Sequence, residues 1–169
     1  MAKKLSGKVA LVTGGSRGIG AASARALADQ GANVAISYVA SPDKAEAVVK
    51  ELKARGVEAR AFKADQASSA EVEQLVNDVA KTFGRLDILV NNAGVAVGGP
   101  IDDPSTDTAA LARQDAINVH GVVSAIRTAS KLMGDGGRIV TIGSMLADLA
   151  TGARVDEVVD RRHRLDRFR

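Results

Sequence analysis

The stretch Val9-Ala10-Leu11-Val12-Thr13-Gly14-Gly15-Ser16-Arg17-Gly18-Ile19-Gly20 joins a short apolar run to a cluster of four glycines. Val9–Thr13 is apolar without alternation, the pattern of a strand buried on both faces. Past the glycines, Ala21–Gln30 reads as a helix that Gly31 ends. Gly14 permits a tight strand-to-helix turn. The missing Cβ atoms at Gly18 and Gly20 let a ligand approach the backbone and the helix approach the sheet. The first turn of the helix then presents unpaired N–H groups and a positive dipole end, which suits a phosphate. Glycines that merely bend the chain are the alternative, against which the strand–turn–helix context argues.

Outward from this turn, short apolar runs alternate with longer stretches of helical period. Asn33–Tyr38 reads as a second strand, and Ser41-Pro42 opens a helix as an N-cap and N1 proline do. Ala45, Val48, Val49 and Leu52 fall on one face of that helix before Gly56 ends it. Val57–Phe62 is a third strand, and Ser69–Phe83 a helix with Val72, Leu75, Val76 and Val79 on one face. Leu86–Val90 is a fourth strand, leading into Asn91-Asn92-Ala93-Gly94. Residues 95–108 form a Gly-, Pro- and Asp-rich connection, Ala109–Met133 one long helix, and Arg138–Ile142 a fifth strand. Strands separated by helices mean βαβ units, a parallel sheet and right-handed crossovers.

Composition narrows the function classes. The chain has 169 residues, 46% hydrophobic and 25% charged, an ordinary globular balance for one domain. One Tyr, three Phe and no Trp leave too few rings for a base-stacking surface, so no nucleic-acid partner is expected. The absence of Cys excludes thiol chemistry, and two His, His120 and His163, are too few for a histidine metal site; no metal is expected. The first residues resemble neither a signal peptide nor a membrane span, so a cytoplasmic location without a membrane partner is the expectation. The net charge is +3, of which residues 153–169, with six Arg and four acids, carry the larger part.

The glycine pattern predicts a dinucleotide site on a Rossmann-type sheet, and the end of the second strand bears on which dinucleotide. NAD-binding units place an acid there to hold the ribose 2′-hydroxyl. Here the strand ends Ser37-Tyr38, and Arg17 in the glycine loop offers a partner for a 2′-phosphate. NADP(H) is therefore the expected cofactor. Arg17 as a solvated loop cation is the alternative.

Together these residues resemble the short-chain dehydrogenase/reductases, particularly the bacterial 3-oxoacyl-(acyl-carrier-protein) reductase-like group. The matching motifs are Thr13–Gly20, Asp65 after the third strand, Asn91–Gly94, Asn118 in Ile117–Val122 and Ser144 after Gly136–Gly143; they span residues 5–152. The resemblance implies a doubly wound α/β sheet of strand order 3-2-1-4-5, ending after the fifth strand where relatives have a sixth and seventh. It implies a cofactor site of Thr13, Gly14, Ser16, Arg17, Gly18, Ile19, Gly20, Tyr38, Asp65, Gln66, Asn91, Ala93 and Gly94. Asp65 would bond the adenine amino group, and Asn91 and Ala93 would line the cleft. Gln66 stands where an apolar residue is common. Asn118 would hold a water in a proton relay, and Ser144 would bond the substrate carbonyl; these two are the expected catalytic residues. The alternatives are strand-end caps for Asp65 and Ser144, a helix-bending amide for Asn118, and a surface position for His120. The implied activity is NADP(H)-dependent interconversion of carbonyls and secondary alcohols, on 3-oxoacyl thioesters or small ketones.

The resemblance stops after Gly152. The family's Tyr-x-x-x-Lys pair moves the carbonyl proton and holds the nicotinamide ribose; counted from Ser144 its places are Glu157 and Arg161, and the one tyrosine, Tyr38, belongs to the second strand. Residues 1–152 are thus read as the dinucleotide-binding domain and 153–169 as a divergent Arg-rich tail, the truncated or out-of-frame end of a longer reductase, or else a variant terminus. A binding module without catalysis and a subunit acting only within an oligomer are the rival functions. A fifth strand with one side unpaired leads us to expect self-association.

Overall fold

The structure, a computed structural model, describes residues 3–98 and 104–144. The expected tail, with Glu157, Arg161 and the boundary at residue 152, lies outside the described residues.

Among the described residues, five parallel strands form one sheet in the order β3-β2-β1-β4-β5, as the resemblance implies. They are β1 (Val9–Val12), β2 (Asn33–Tyr38), β3 (Ala59–Lys63), β4 (Ile88–Asn91) and β5 (Arg138–Thr141). Successive residues of β1 point to opposite faces, and both faces are covered. Ala10 and Val12 pack under α1 (Gly18–Asp29) and α2 (Pro42–Lys53), with Ala21, Ala24, Ala28, Val48 and Leu52. Val9 and Leu11 pack under α3 (Ser69–Phe83) and α5 (Val122–Leu132), with Val72, Leu75, Val76, Val79, Ala125 and Ala129. Two-sided burial is why the β1 run is apolar without a break. The alanines of α1 and α5 let those helices lie close to the sheet.

Two strand starts differ from the expectation. β3 begins at Ala59, not Val57, because Gly56 turns with φ +83° and the Glu58 N–H is taken by the Asn33 side chain. β4 begins at Ile88, although Leu86 is already buried. α1 starts three residues early, its first turn made by Gly18–Gly20 themselves. α3 is capped as its sequence suggests: the Ser68 hydroxyl accepts from the Glu71 N–H, and Gly84 closes the helix with φ +76°.

The expected single helix over Ala109–Met133 is three pieces: α4 (Thr108–Asp115), a π-helical turn (Ala116–Gly121) and α5. A tertiary contact falls within the turn. A Cβ on Gly121 would land on the Gln66 carbonyl oxygen and 2.8 Å from its Nε2, so the helix is seated against the end of β3 by the lack of a side chain there. Helical periodicity alone carries no sign of such a wide turn, which is common at functional sites. Among the described residues no helix is long and apolar enough to cross a membrane.

Candidate functional site

The C-terminal ends of β1 and β4 are tied by five side-chain hydrogen bonds, one of them from Thr13 Oγ1 to the Val90 carbonyl at 3.5 Å. Thr13 is fully buried, and its Oγ1 accepts from the N–H groups of Asn92 and Ala93, both at 3.0 Å. The Asn92 amide donates back, to the carbonyl oxygens of Thr13 at 2.8 Å and Gly14 at 3.3 Å. β2 supports the same turn from the other side: Gly14 N–H donates to Ser37 Oγ at 3.1 Å, and Gly15 N–H to the Ser37 carbonyl at 2.9 Å. Gly20 is at its closest-packed limit, since a Cβ there would sit 2.5 Å from Asn92 Nδ2 and from Gly14 O. Gly18 differs: its φ is +54°, and an added Cβ would meet nothing within 4 Å. Gly20 therefore serves packing and Gly18 leaves an opening beside the start of α1.

That opening belongs to a cleft of ≈ 660 Å³, a usual size for a small-molecule site, at the point where the sheet reverses its winding between β1 and β4. Its floor is the turn, with Gly14, Ser16, Arg17, Gly18, Ile19 and Gly20. One wall is Ser37–Ser41, another Ala64, Asp65 and Gln66, and the third Asn92–Val95 with Arg113 and Ile117. Ile19, Val39 and Val95 are exposed along its rim, at 63%, 44% and 44%. Tyr38 and Arg17 both belong to this lining, with no acid at the end of β2.

Two expected cofactor contacts are not on the wall. Thr13 is enclosed behind the turn, its hydroxyl occupied by the two N–H groups. Asn91 is 2% exposed, and its amide reaches back to Thr141 Oγ1 at 3.4 Å; Asn92 lines the cleft in its place. Adjacent residues of a strand end face opposite ways, so only one of the pair can. Ala93 and Gly94 do line it.

Asp65 is held below the usual carboxylate range, first by the Ala67 N–H at 3.0 Å and then by the Arg113 guanidinium. Gln66 is 4% exposed, and its Nε2 has no partner among the described residues. Asn118 sits in the π-helical turn and is exposed. Its side chain holds the loop after β4: Val95 N–H donates to Oδ1 at 3.0 Å, and Nδ2 donates to the Val95 carbonyl at 2.8 Å. A second lone pair on Oδ1 and the second hydrogen of Nδ2 are the side chain's remaining capacity for a water. Ser144 is exposed three residues past β5, on the same edge of the parallel sheet as the cleft. His120 is at the surface, 3.1 Å from Asp115. Among the described residues no group of three or more acids and histidines could hold a metal.

Sequence reasoning missed Ser37, Asn92 and Arg113. Ser37 and Asn92 adjoin residues that it named, but their hydrogen bonds cross 23 and 79 positions. Arg113 lies 48 positions from Asp65, on a helical face with no local motif.

The short chain dehydrogenase family profile matches residues 8–154. An uncharacterized oxidoreductase of Methylorubrum extorquens is 44% identical over 146 residues, covering 86% of this chain and 58% of that protein. A 3-oxoacyl-[acyl-carrier-protein] reductase of Staphylococcus epidermidis is 54% identical over 88 residues, 52% of this chain and 36% of that one. Among solved structures, a short chain dehydrogenase from Burkholderia cenocepacia in complex with NADP has a TM-score of 0.89 at 44% identity, over 96% of this chain and 65% of that one. A blue fluorescent protein from a metagenomic library, in complex with NADPH, has a TM-score of 0.90 at 44% identity, over 97% and 67%. The chain thus spans less than two thirds of the first relative in each comparison. With the strand order, the glycine turn and a family match over most of its length all in agreement, this chain belongs to the short chain dehydrogenase family.

Proposed function

We propose that the cleft binds NADP(H) and that the protein is an oxidoreductase interconverting carbonyls and secondary alcohols, with 3-oxoacyl thioesters or small ketones as the substrate class. The observation that carries this reading is the open face at Gly18, set beside Arg17 and the acid-free end of β2. The bound NADP and NADPH of the two similar structures support it.

The residues present fit the cofactor. Free N–H groups at the start of α1, with Ser16, meet the pyrophosphate. Arg17 and Tyr38, both in the lining, would face the 2′-phosphate end. Asp65 would accept from the adenine amino group, with Gln66 beside it in the lining. Asn118 fixes the loop Gly94–Val95 that borders the reacting end. Ser144 donates to the substrate oxygen. When bound, the nicotinamide supplies or accepts the hydride at the carbonyl carbon.

Titration of the chain with NADPH and NADH, followed by NADPH oxidation with acetoacetyl thioesters and small cyclic ketones against a Ser144→Ala background, tests both parts. Tight NADPH binding with Ser144-dependent turnover is expected from the oxidoreductase reading. Binding without turnover selects the rival, a dinucleotide-binding module, for which the Glu and Arg at 157 and 161 speak. No binding of either nucleotide rejects both.

A further inference from the structure

Asp65 and Arg113 meet on the cleft wall from the end of β3 and from α4. One terminal nitrogen of Arg113 donates to both carboxylate oxygens, at 3.1 Å each. Oδ1 also accepts from the Ala67 N–H at 3.0 Å, and the Asp65 N–H is itself held by Glu71 Oε2 at 2.9 Å. A carboxylate offers about four acceptor sites. Three are filled here, so the open one is on Oδ2. The residue is fixed at main chain and side chain alike, yet stays 29% exposed at its side chain and lines the cleft.

The pair is not explained by stability. Arg113 is 53% exposed at its side chain, and ion pairs that open to water add little to folding. What the guanidinium does is remove the carboxylate's rotation: with Ala67 on Oδ1 alone, Oδ2 would be free to swing. Arg113 also presents a planar cation at the cleft, a shape that lies well against a purine ring. Ile117, nearly buried four residues on, and the buried Gln66 complete the patch.

We infer that Arg113 is the positioning residue of the base subsite. It holds Asp65 so that the open Oδ2 site takes a base with an exocyclic amino group and rejects one with a carbonyl in that place. The inference rests on the nucleotide reading above and adds the group that sets its base preference. A carboxylate locked as acceptor gains one hydrogen bond from an amino group and meets a second acceptor in a carbonyl, the kind of mismatch that discriminates most strongly.

The test is calorimetric titration of the full chain with NADPH and with its hypoxanthine analogue, for the parent, Arg113→Met and Arg113→Lys. The parent is expected to prefer NADPH by about tenfold, on the scale of one charged hydrogen bond. Arg113→Met should weaken NADPH by about that factor more than it weakens the analogue, and so bring the ratio close to one. Arg113→Lys keeps the charge without the planar fork and should fall between. Thermal melts establish that each variant is folded, and if Arg113→Met is not, the Arg113→Lys ratio decides alone. A folded variant that keeps the parent's ratio overturns the inference, as does a parent that binds both nucleotides equally. A parent that binds neither overturns the nucleotide reading with it.

Discussion

Asn92 and Thr13 exchange hydrogen bonds in both directions: the Asn92 amide donates to the Thr13 carbonyl at 2.8 Å, and the Thr13 hydroxyl accepts from the Asn92 N–H at 3.0 Å. Two strand ends of a parallel sheet have no ladder to pair their last polar groups, and these side chains supply the missing partners. The glycine turn is thereby fixed to the loop that forms the opposite side of the cleft. Sequence, local structure and site are linked at this one point.

Thr13→Val keeps the shape and removes the acceptor, leaving the N–H groups of Asn92 and Ala93 without their partner. We expect a loss of roughly 1–3 kcal/mol, the penalty of stranded polar groups, together with weaker NADPH binding as the turn loosens. Denaturant melts and NADPH titration measure the two effects. A variant that melts with the parent would mean that water replaces the hydroxyl at no cost.

Cofactor choice turns on Tyr38 and Arg17. Tyr38→Asp should reverse the preference toward NADH, because a carboxylate accepts from a 2′-hydroxyl and repels a 2′-phosphate. Arg17→Ala should weaken NADPH alone, by roughly 1–2 kcal/mol. Competitive titration of the two nucleotides reads both. Equal affinities in the parent chain would count against the assignment.

At the opposite end of the sheet Asp87 predicts the acid response. Burial raises its pKa, but hydrogen bonds from Arg85, the Val9 N–H and Lys8 outweigh it and bring the value down to about 2. The folded state therefore binds this proton less readily than the unfolded one. The contribution is complete above about pH 4 and is lost as pH falls through about 2, with a size of roughly 2 kcal/mol. Asp87→Asn should lower stability at neutral pH by about that amount and converge with the parent near pH 2. Urea melts from pH 2 to 7 give the two curves; parallel curves would exclude Asp87 as the source.

The fold was legible because its signals are local. Apolar runs, a proline at a helix start and glycines at helix ends each sit within a few residues of what they determine. Much of the cleft was legible too, since Ser16–Gly20, Tyr38, Asp65, Ala93 and Gly94 belong to motifs. What failed were questions of direction and distance. Asn91 and Asn92 are the same residue type side by side, and only the end of β4 decides which faces the cleft. Within the π-helical turn Gly121 meets the Gln66 carbonyl, a contact between residues 55 positions apart that no periodicity records.

That contact makes Gly121→Ala informative. The new Cβ would collide with the Gln66 main chain, which cannot give way as a flexible side chain would. Overpacking of this kind costs about 1–3 kcal/mol. The π-helical turn should also shift, pulling Asn118 from the Val95 main chain and weakening nucleotide binding more than the stability loss alone implies. Hydrogen exchange at the Val95 N–H, now held by Asn118 at 3.0 Å, reads the shift directly. Unchanged protection there would show that α4 and α5 absorb the methyl group without moving Asn118.

The fifth strand carries the remaining expectation, self-association. Among the described residues β5 pairs with β4 on one side only, and all four of its residues are exposed. Ile139, Val140 and the neighbouring Ile142 are 39%, 47% and 39% exposed, an apolar strand of unusual openness. Among the described residues its outer edge has no ladder partner for its N–H and C=O groups, a template for another chain, and its faces add an apolar incentive to pair. We therefore expect the sedimentation coefficient to rise with concentration. Val140→Lys should suppress that rise, since a charged side chain on an edge strand opposes pairing while leaving the β4 ladder intact. Val140→Thr controls for lost β-propensity, because it keeps the branched shape and should still associate. A parent chain that stays monomeric across a hundredfold range of concentration, or a Lys variant that associates as readily as the parent, would place any contact elsewhere than at this edge.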